Sequence, residues 1–546
     1  ALTMPAAFKD AGWLLSLVIV IILAFMSYLT TTFVIEAMAS ANALVHWKTL
    51  QHYKRVVDED ESSISRSKQE DMVCIDVASC SLVRPPAEAS LPPVQVVVRG
   101  AGLKGKHAKR NFTVLTPEKK ELKTDDLISK YLDEDERVPL LLSNAAERMA
   151  ESSHVDYFAI TERFELGKMA SLFFGKIGIN LFYVCIAVYL YGDLAIYGAA
   201  VSKSLRDVAC MSVYPITNSS NGSIASADVP CWPGSQISRA NAYRIFLVGF
   251  LCLLGPFTFF NVQKTKYLQL FTTLMRWIAF TSMIVLCALV LGRGEGQGRP
   301  PLAAPVGLPN LFGVCVYSFM CHHSLPSLVT PWKDKSRLFS LLAADYLVIL
   351  GFYTLLSFTG IFTFPQLNDM YTLNFQPGNS TDNIIPHIPV LQYFLSLFPV
   401  FTLSTNFPII AITLRNNLKA LFLRDDHRPR LLSVSASTPP SRCHGALEGL
   451  VLPLVALLPP VAVALATESV EFLVGFTGSY AGAVIQYVIP VALVYRARRQ
   501  VLEALGLGVR NQHASPFRHG AWLWFVLVWA GACVTLVTVN HIVVKA

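Results

Sequence analysis

Charge is scarce in this chain. Of its 546 residues only 15% are Asp, Glu, Lys or Arg, while 53% are hydrophobic, against about 25% charged residues in an ordinary soluble domain. Other signatures are missing too. There is no Walker-type phosphate loop, which argues against drive by ATP. Zinc-type cysteine spacing and interleaved basic and aromatic residues are absent, so the net charge of +8 does not point to nucleic acid. No nucleophile–base pair and no metal-ligand cluster stands out, so no catalytic residues, no metal and no enzymatic function are expected. Nothing resembles a cleavable signal, since the first apolar block, Gly12 to Val45, is far longer than a signal-peptide core. Period-two alternation, the mark of a membrane barrel, is lacking as well.

What is present is a series of apolar blocks of about 20 residues or more, the length that crosses a bilayer as a helix. They lie at Ala1–Lys9 (a partial first span), Trp13–Val45, Met169–Ala200, Ala242–Phe260, Leu268–Leu291, Leu308–Leu328, Phe339–Phe362, Val390–Leu414, Leu447–Thr467, Phe472–Tyr495 and Ala521–Val544. Backbone polar groups in lipid must be satisfied internally, so these segments are expected to be helices. The expected fold class is an all-α membrane protein of about eleven transmembrane helices, with the lipid bilayer as its first partner. Residue 1 is Ala, and the opening residues read as the interior of a helix, so the first span is expected to be truncated.

The division expected is 1–47 for the first two spans, 48–168 for a polar loop, and 169–544 for spans three to eleven, with a polar loop at 203–241. The 48–168 stretch carries the acidic runs Asp58–Glu61 and Asp133–Glu136 and reads as largely disordered. If it is cytosolic, the short cytosolic loops hold Lys264, Lys266, Lys333, Lys335, Arg337, Arg415, Lys419, Arg424, Arg428, Arg430, Arg496, Arg498, Arg499 and Arg510. The opposite loops then hold only Lys203, Arg206, Arg239, Arg293 and Arg299, as the positive-inside rule requires. The sequons at Asn218, Asn221 and Asn379 all fall on the non-cytosolic side, where they can be glycosylated; Asn111 falls in the cytosol and would be silent. Cys210 and Cys231 share the oxidising side, where they form a disulfide or stay as two free thiols.

Three motifs carry a resemblance. The opening ALTMPAAFKDAGW, through Leu2, Pro5, Ala7-Phe8 and Ala11-Gly12-Trp13, resembles the end of the first span in the amino acid/auxin permease family. YSFMCHHSLPSLVTP (Tyr317 to Pro331) is similar to the broken sixth span of the sodium-coupled neutral amino acid transporters, with Phe319, Cys321-His322 and Pro326 in the matching places. VGFTGSYAGAVIQYVIPVALVY resembles that family's Gly-rich tenth span. The resemblance implies an inverted repeat of five spans plus five, the bacterial leucine transporter-like arrangement, with one helix appended. It also implies secondary transport of an amino acid by alternating access, with a proton or a sodium ion as the coupling ion and no other cofactor. Independently of family, interrupted helices in corresponding positions of two halves are the best sequence pointer to a transporter site.

The substrate is therefore expected near Leu2, Tyr189, Tyr317, Ser318, Phe319 and His322. Asp193 lies deep in the third span, where a carboxylate costs about 2.5–3.5 kcal/mol on insertion scales; it is either a proton or cation relay or a helix-packing group. His322 either couples protons, since imidazole titrates near neutral pH, or bonds a freed backbone carbonyl. Thr402 and Thr405 in the eighth span are the ion-site candidates, against the alternative that they bond their own helix. Glu36 and Asp345 are read as paired or water-facing acids.

Glu136, Leu140 and Leu141 fit the acidic dileucine pattern recognised by endosomal sorting adaptors, which places the protein in lysosomes or late endosomes, with the plasma membrane second. A rival reading keeps the fold and the bound amino acid but makes the chain a sensor that signals through the 48–168 loop, which exceeds what a connection requires.

Overall fold

The structure, a computed structural model, describes residues 2–73, 156–210, 229–232, 234–259, 266–377, 384–422, 450–506 and 509–545. The helices are α1 (Met4–Ala11), α2 (Trp13–Val73), α3 (Leu166–Phe173), α4 (Lys176–Ala209), α5 (Arg239–Leu254), α6 (Lys266–Gly292), α7 (Leu308–Phe319), α8 (Leu325–Val329), α9 (Leu338–Thr363), α10 (Pro389–Phe422), α11 (Leu452–Ala466), α12 (Val470–Thr477), α13 (Ile489–Leu505) and α14 (Gly520–Lys545). Among the described residues eight helical segments are long and apolar enough to cross a membrane, and the shorter Pro305–Phe319 and Leu452–Ala466 are apolar as well. With the short α1 this is an all-α membrane fold of the expected kind.

The chain divides into two units, 1–47 with 157–546, and 48–156. In the second unit the described part is mostly helix, residues 48–73, so the stretch expected to be largely disordered begins as a continuation of α2. In the first unit the loop ends earlier than the expected 168. Phe158, Ile160 and Phe164 are buried in the core, and the Glu162 N–H donates to Asn42 Oδ1 at 2.9 Å. The apolar side chains fill space beside α2 that a solvated loop would leave open. The expected third span is likewise two helices. The backbone turns extended at Phe174 and Gly175, ending α3 and starting α4, which then runs nine residues past the expected end at Ala200 to Ala209.

Two helix breaks position the site. The first is at Gly12, whose φ of 87° suits glycine. The 301–304 segment lies against it, so closely that a Cβ at Gly12 would stand 2.7 Å from the Ala303 Cα. That segment also satisfies the open helix ends: the Ala304 N–H donates to Ala11 O at 2.8 Å and the Trp13 N–H to Pro301 O at 3.1 Å. The second break is at Met320–Ser324, between α7 and α8, inside the stretch whose Pro and polar residues predict it.

The Gly-rich tenth span leaves regular α-geometry. Residues Gly478–Gly482 and Val484–Val488 form wider π-helical turns between α12 and α13. The cause is contact with α7. A Cβ on Gly478 would meet the Gly313 carbonyl, and a Cβ on Gly313 would meet the Gly475 carbonyl. The two backbones touch because neither side supplies a side chain there, as in other small-residue membrane interfaces.

Both ends of the bundle are tied by ion pairs. At the end assigned to the cytosol, Arg498 makes a two-armed contact to Glu36, 2.8 Å on each arm, and the Ser515 N–H donates to Glu36 Oε2 at 3.0 Å. Glu36 is thus the paired acid expected, and removing one partner of such a pair costs about 3–5 kcal/mol. Asp345 is exposed. At the opposite end Arg206 contacts Asp207 and Glu468, Arg239 also meets Asp207, and Lys203 meets Asp369 at 2.6 Å. A disulfide joins Cys210, just after α4, to Cys231 before α5. Asn218, Asn221, Asn379, Glu136, Leu140 and Leu141 lie outside the described residues.

Candidate substrate and ion site

Asp193 stands near the middle of α4 and is only 3% exposed. The hydroxyls of Tyr189, one turn earlier, and of Tyr317, on the last turns of α7, both lie within hydrogen-bonding reach of its carboxylate. Oδ1 has no hydrogen-bond partner among the described residues, and no cation pairs with the group. A buried acid without a compensating cation is costly unless a ligand or a proton completes it. The Tyr189 and Tyr317 rings lie 6.2 Å apart, and His323 from the broken segment sits 5.7 Å from Tyr189. Asp193, Tyr189, Tyr317 and His323 therefore form one cluster beside the α7–α8 break.

His322, adjacent in sequence, points elsewhere. It is fully buried, and its Nε2 lies 2.9 Å from Thr30 Oγ1 and 3.4 Å from Thr31 Oγ1 of α2, while Nδ1 has no partner among the described residues. Its ring thus bonds span-two groups, the two threonine hydroxyls and the Ser27 backbone carbonyl. Phe319 is buried, stacked 6.4 Å from Tyr346 and edge-on to Tyr353 at 5.4 Å, and its carbonyl accepts from Ser27 Oγ at 3.1 Å. The Ser318 carbonyl accepts from the Tyr353 hydroxyl at 3.2 Å. The carbonyls freed where α7 stops are thus held open by hydroxyls from α2 and α9, which keeps the break from closing into helix.

Leu2 is placed apart from the Asp193 cluster. Its carbonyl accepts from the Tyr371 N–H at 2.9 Å, and its side chain packs with the group formed by Met283, Cys287, Leu395 and Phe398. Thr402 and Thr405 on α10 donate to carbonyls of their own helix, Phe398 O and Thr402 O, at 3.0 Å each.

Four positions in the neighbourhood escaped the sequence reading. Thr30 and Thr31 belong to a run of three threonines in the middle of an apolar helix, a signal that was available. Tyr346 binds Thr31 Oγ1 at 2.7 Å and Ser27 Oγ at 3.0 Å, but a Tyr in a span rich in aromatics carries no mark of its own. Arg276 is a cation inside α6 and does carry one.

Residues 141–531 match the family described as transmembrane amino acid transporter protein. The chain belongs to this family. Relatives match almost end to end. Transmembrane protein 104 of Homo sapiens is 47% identical over 99% of this chain and 93% of its own length. Transmembrane protein 104 of Gallus gallus is 44% identical over 99% of this chain and 93% of its own. The transmembrane protein 104 homolog of Drosophila melanogaster is 42% identical, again over 99% and 93%. Stretches such as FMSYLTTTFVIEAM and VYLYGDLAIY, which hold Thr30, Thr31 and Asp193, lie within these alignments.

Proposed function

We propose that this chain moves an amino acid across its membrane by alternating access, with substrate held between the α7–α8 break and the Asp193 cluster. The observation that carries the reading is Asp193, which is buried, has no cation partner among the described residues, and is bonded by Tyr317 of the broken helix. The interrupted span leaves backbone donors and acceptors at mid-membrane, which suit the carboxylate of an amino acid and a cation. Asp193 Oδ1 supplies a free acceptor for an ammonium group or for the coupling proton, while the two Tyr hydroxyls donate to the carboxylate and hold it in place. Protonation of Asp193 would remove its charge before it crosses the apolar part of the cycle, which ties substrate movement to a proton. The tests need no assumption about which amino acid is carried. Full-length protein in liposomes loaded with each common amino acid should show counterflow of the matching radiolabel. No counterflow with any of them, together with ordered partner binding by the 48–168 loop, would establish the sensor instead.

The proposed address is the lysosome or late endosome. The support is Glu136 followed at the required spacing by Leu140 and Leu141, a pattern that sorting adaptors read with a basic patch and an apolar pocket. An acidic lumen would also supply the proton that Asp193 needs. Tagged protein is expected on lysosomes, and the Leu140→Ala, Leu141→Ala double variant at the cell surface. A double variant that still reaches lysosomes unaltered would remove the motif from sorting.

A further inference from the structure

The backbone break between α3 and α4 leaves an open cavity of about 400 Å³ at the end of the bundle assigned to the cytosol. It is lined by Phe174, Gly175, Lys176, Ile177 and Gly178 from the break and by Arg496 from α13. A Cβ on Gly175 would meet nothing within 4 Å, so the space beside the break is open. The α13 side is fixed by Gln500, whose Nε2 donates to the Phe173 carbonyl at 3.2 Å. The charge around the cavity is one-sided. Arg498 and Arg499, on the same helix as Arg496, are turned to Glu36 at 2.8 Å and to Glu503 at 3.0 Å. Arg496 has no acidic partner among the described residues, and no acidic side chain among them lines the cavity. Two cations from two different helices therefore face one space large enough for a small ligand, and the ligand that suits them is an anion.

What continues from the cavity favours a lipid over a free anion. Ile177, which lines it, is 86% exposed. Leu181, Val184 and Val188 follow at spacings of four, three and four residues, and all three are exposed as well. They form one apolar stripe that starts at the cavity and runs along the outside of α4. α4 is long and apolar enough to span the membrane, so this stripe faces acyl chains. A phospholipid lying along it brings its phosphate to Lys176 and Arg496. The long apolar stems of both side chains suit that depth, with their charged ends at headgroup level. The headgroup must carry net negative charge, because a choline or ethanolamine would place another cation beside these two.

We propose that the α3–α4 break and α13 form a binding site for an anionic phospholipid of the cytosolic leaflet, with its phosphate held by Lys176 and Arg496 and an acyl chain along the Ile177, Leu181, Val184 and Val188 stripe. Basic pockets between membrane helices on the cytosolic side are where such headgroups bind. The bound lipid ties α13 to the start of the helix that carries Asp193. The proposal stands apart from the transport reading and needs no substrate for its test.

Thermal unfolding of the full-length protein in detergent supplies the first measurement. Added phosphatidylinositol should raise the melting temperature, and added phosphatidylcholine should not. Lys176→Ala or Arg496→Ala alone should need about fivefold more phosphatidylinositol for the same rise, and the double variant about thirtyfold more, from the worth of each cation near an anionic headgroup. Lys333→Ala, which removes an exposed cytosolic cation away from the cavity, should respond as wild type. Glycerophosphoinositol, the same headgroup without acyl chains, should give no rise at the same concentration. Native mass spectrometry needs no variant: wild type offered equal amounts of the two lipids should retain phosphatidylinositol. Equal retention of both lipids overturns the proposal, and so does a double variant that responds as wild type does. An equal rise from glycerophosphoinositol overturns it too, leaving a site for a free anion and not for a lipid.

Discussion

Asp193→Asn is expected to abolish most counterflow, by about tenfold or more, while the protein still folds and reaches its membrane. Asn keeps the shape of the side chain and both of its contacts with Tyr189 and Tyr317, so packing in α4 is little disturbed. What it removes is charge and the ability to take up a proton. If Asp193 were only a packing group, the neutral amide would be at least as well accommodated in this buried place, since an unpaired carboxylate is the costlier of the two. A second readout separates the roles. Wild-type rate should change with pH on the side from which substrate enters, and the residual rate of the variant should be flat. Wild-type rate and unchanged pH dependence in Asp193→Asn would remove this residue from the mechanism.

Much of this architecture is legible in the sequence because bilayer thickness imposes a length and a composition that few other constraints can mimic. The break after Phe319 is legible for a similar reason: Pro326 and the run Cys321-His322-His323-Ser324 cannot continue an apolar helix comfortably. Legibility fails where contacts between distant segments decide. The α3–α4 turn at Gly175 is marked locally only by Gly175, Lys176 and Gly178, which the apolar residues on both sides outweigh in a hydropathy reading. His322 and His323 are neighbours in sequence, yet one binds Thr30 on α2 and the other lies beside Tyr189 on α4. Their separation follows from the unwound geometry between α7 and α8, which hydropathy does not encode. Leu2 was expected at the substrate because a motif matched, but a motif gives a place in the chain and not the direction of a side chain. Arg276 was legible and overlooked, since a single cation in a span is easily averaged away by the apolar residues around it.

The second large effect is expected from Gly313→Ala, with Gly478→Ala as its counterpart on the facing helix. Each added methyl would be driven into a backbone carbonyl, at Gly475 for the first and at Gly313 for the second. A flexible side chain could turn away, but a carbonyl held in helical hydrogen bonding cannot, so the helices themselves must separate. Overpacking of this kind costs about 1–3 kcal/mol and sometimes more. The strain also reaches the site. α7 ends at Phe319 only two turns beyond Gly313, and Tyr317 would move with it, away from Asp193. The π-helical turns from Gly478 to Val488 add a reason for sensitivity, because a wider turn already accommodates the close approach. Thermal unfolding in detergent should therefore drop by several degrees for either variant, and counterflow should fall further than folded protein does. Gly249→Ala, whose added methyl meets nothing within 4 Å, is the matched control and should behave as wild type. Equal melting temperatures for Gly313→Ala and Gly249→Ala would show that α7 and the tenth span are not in backbone contact.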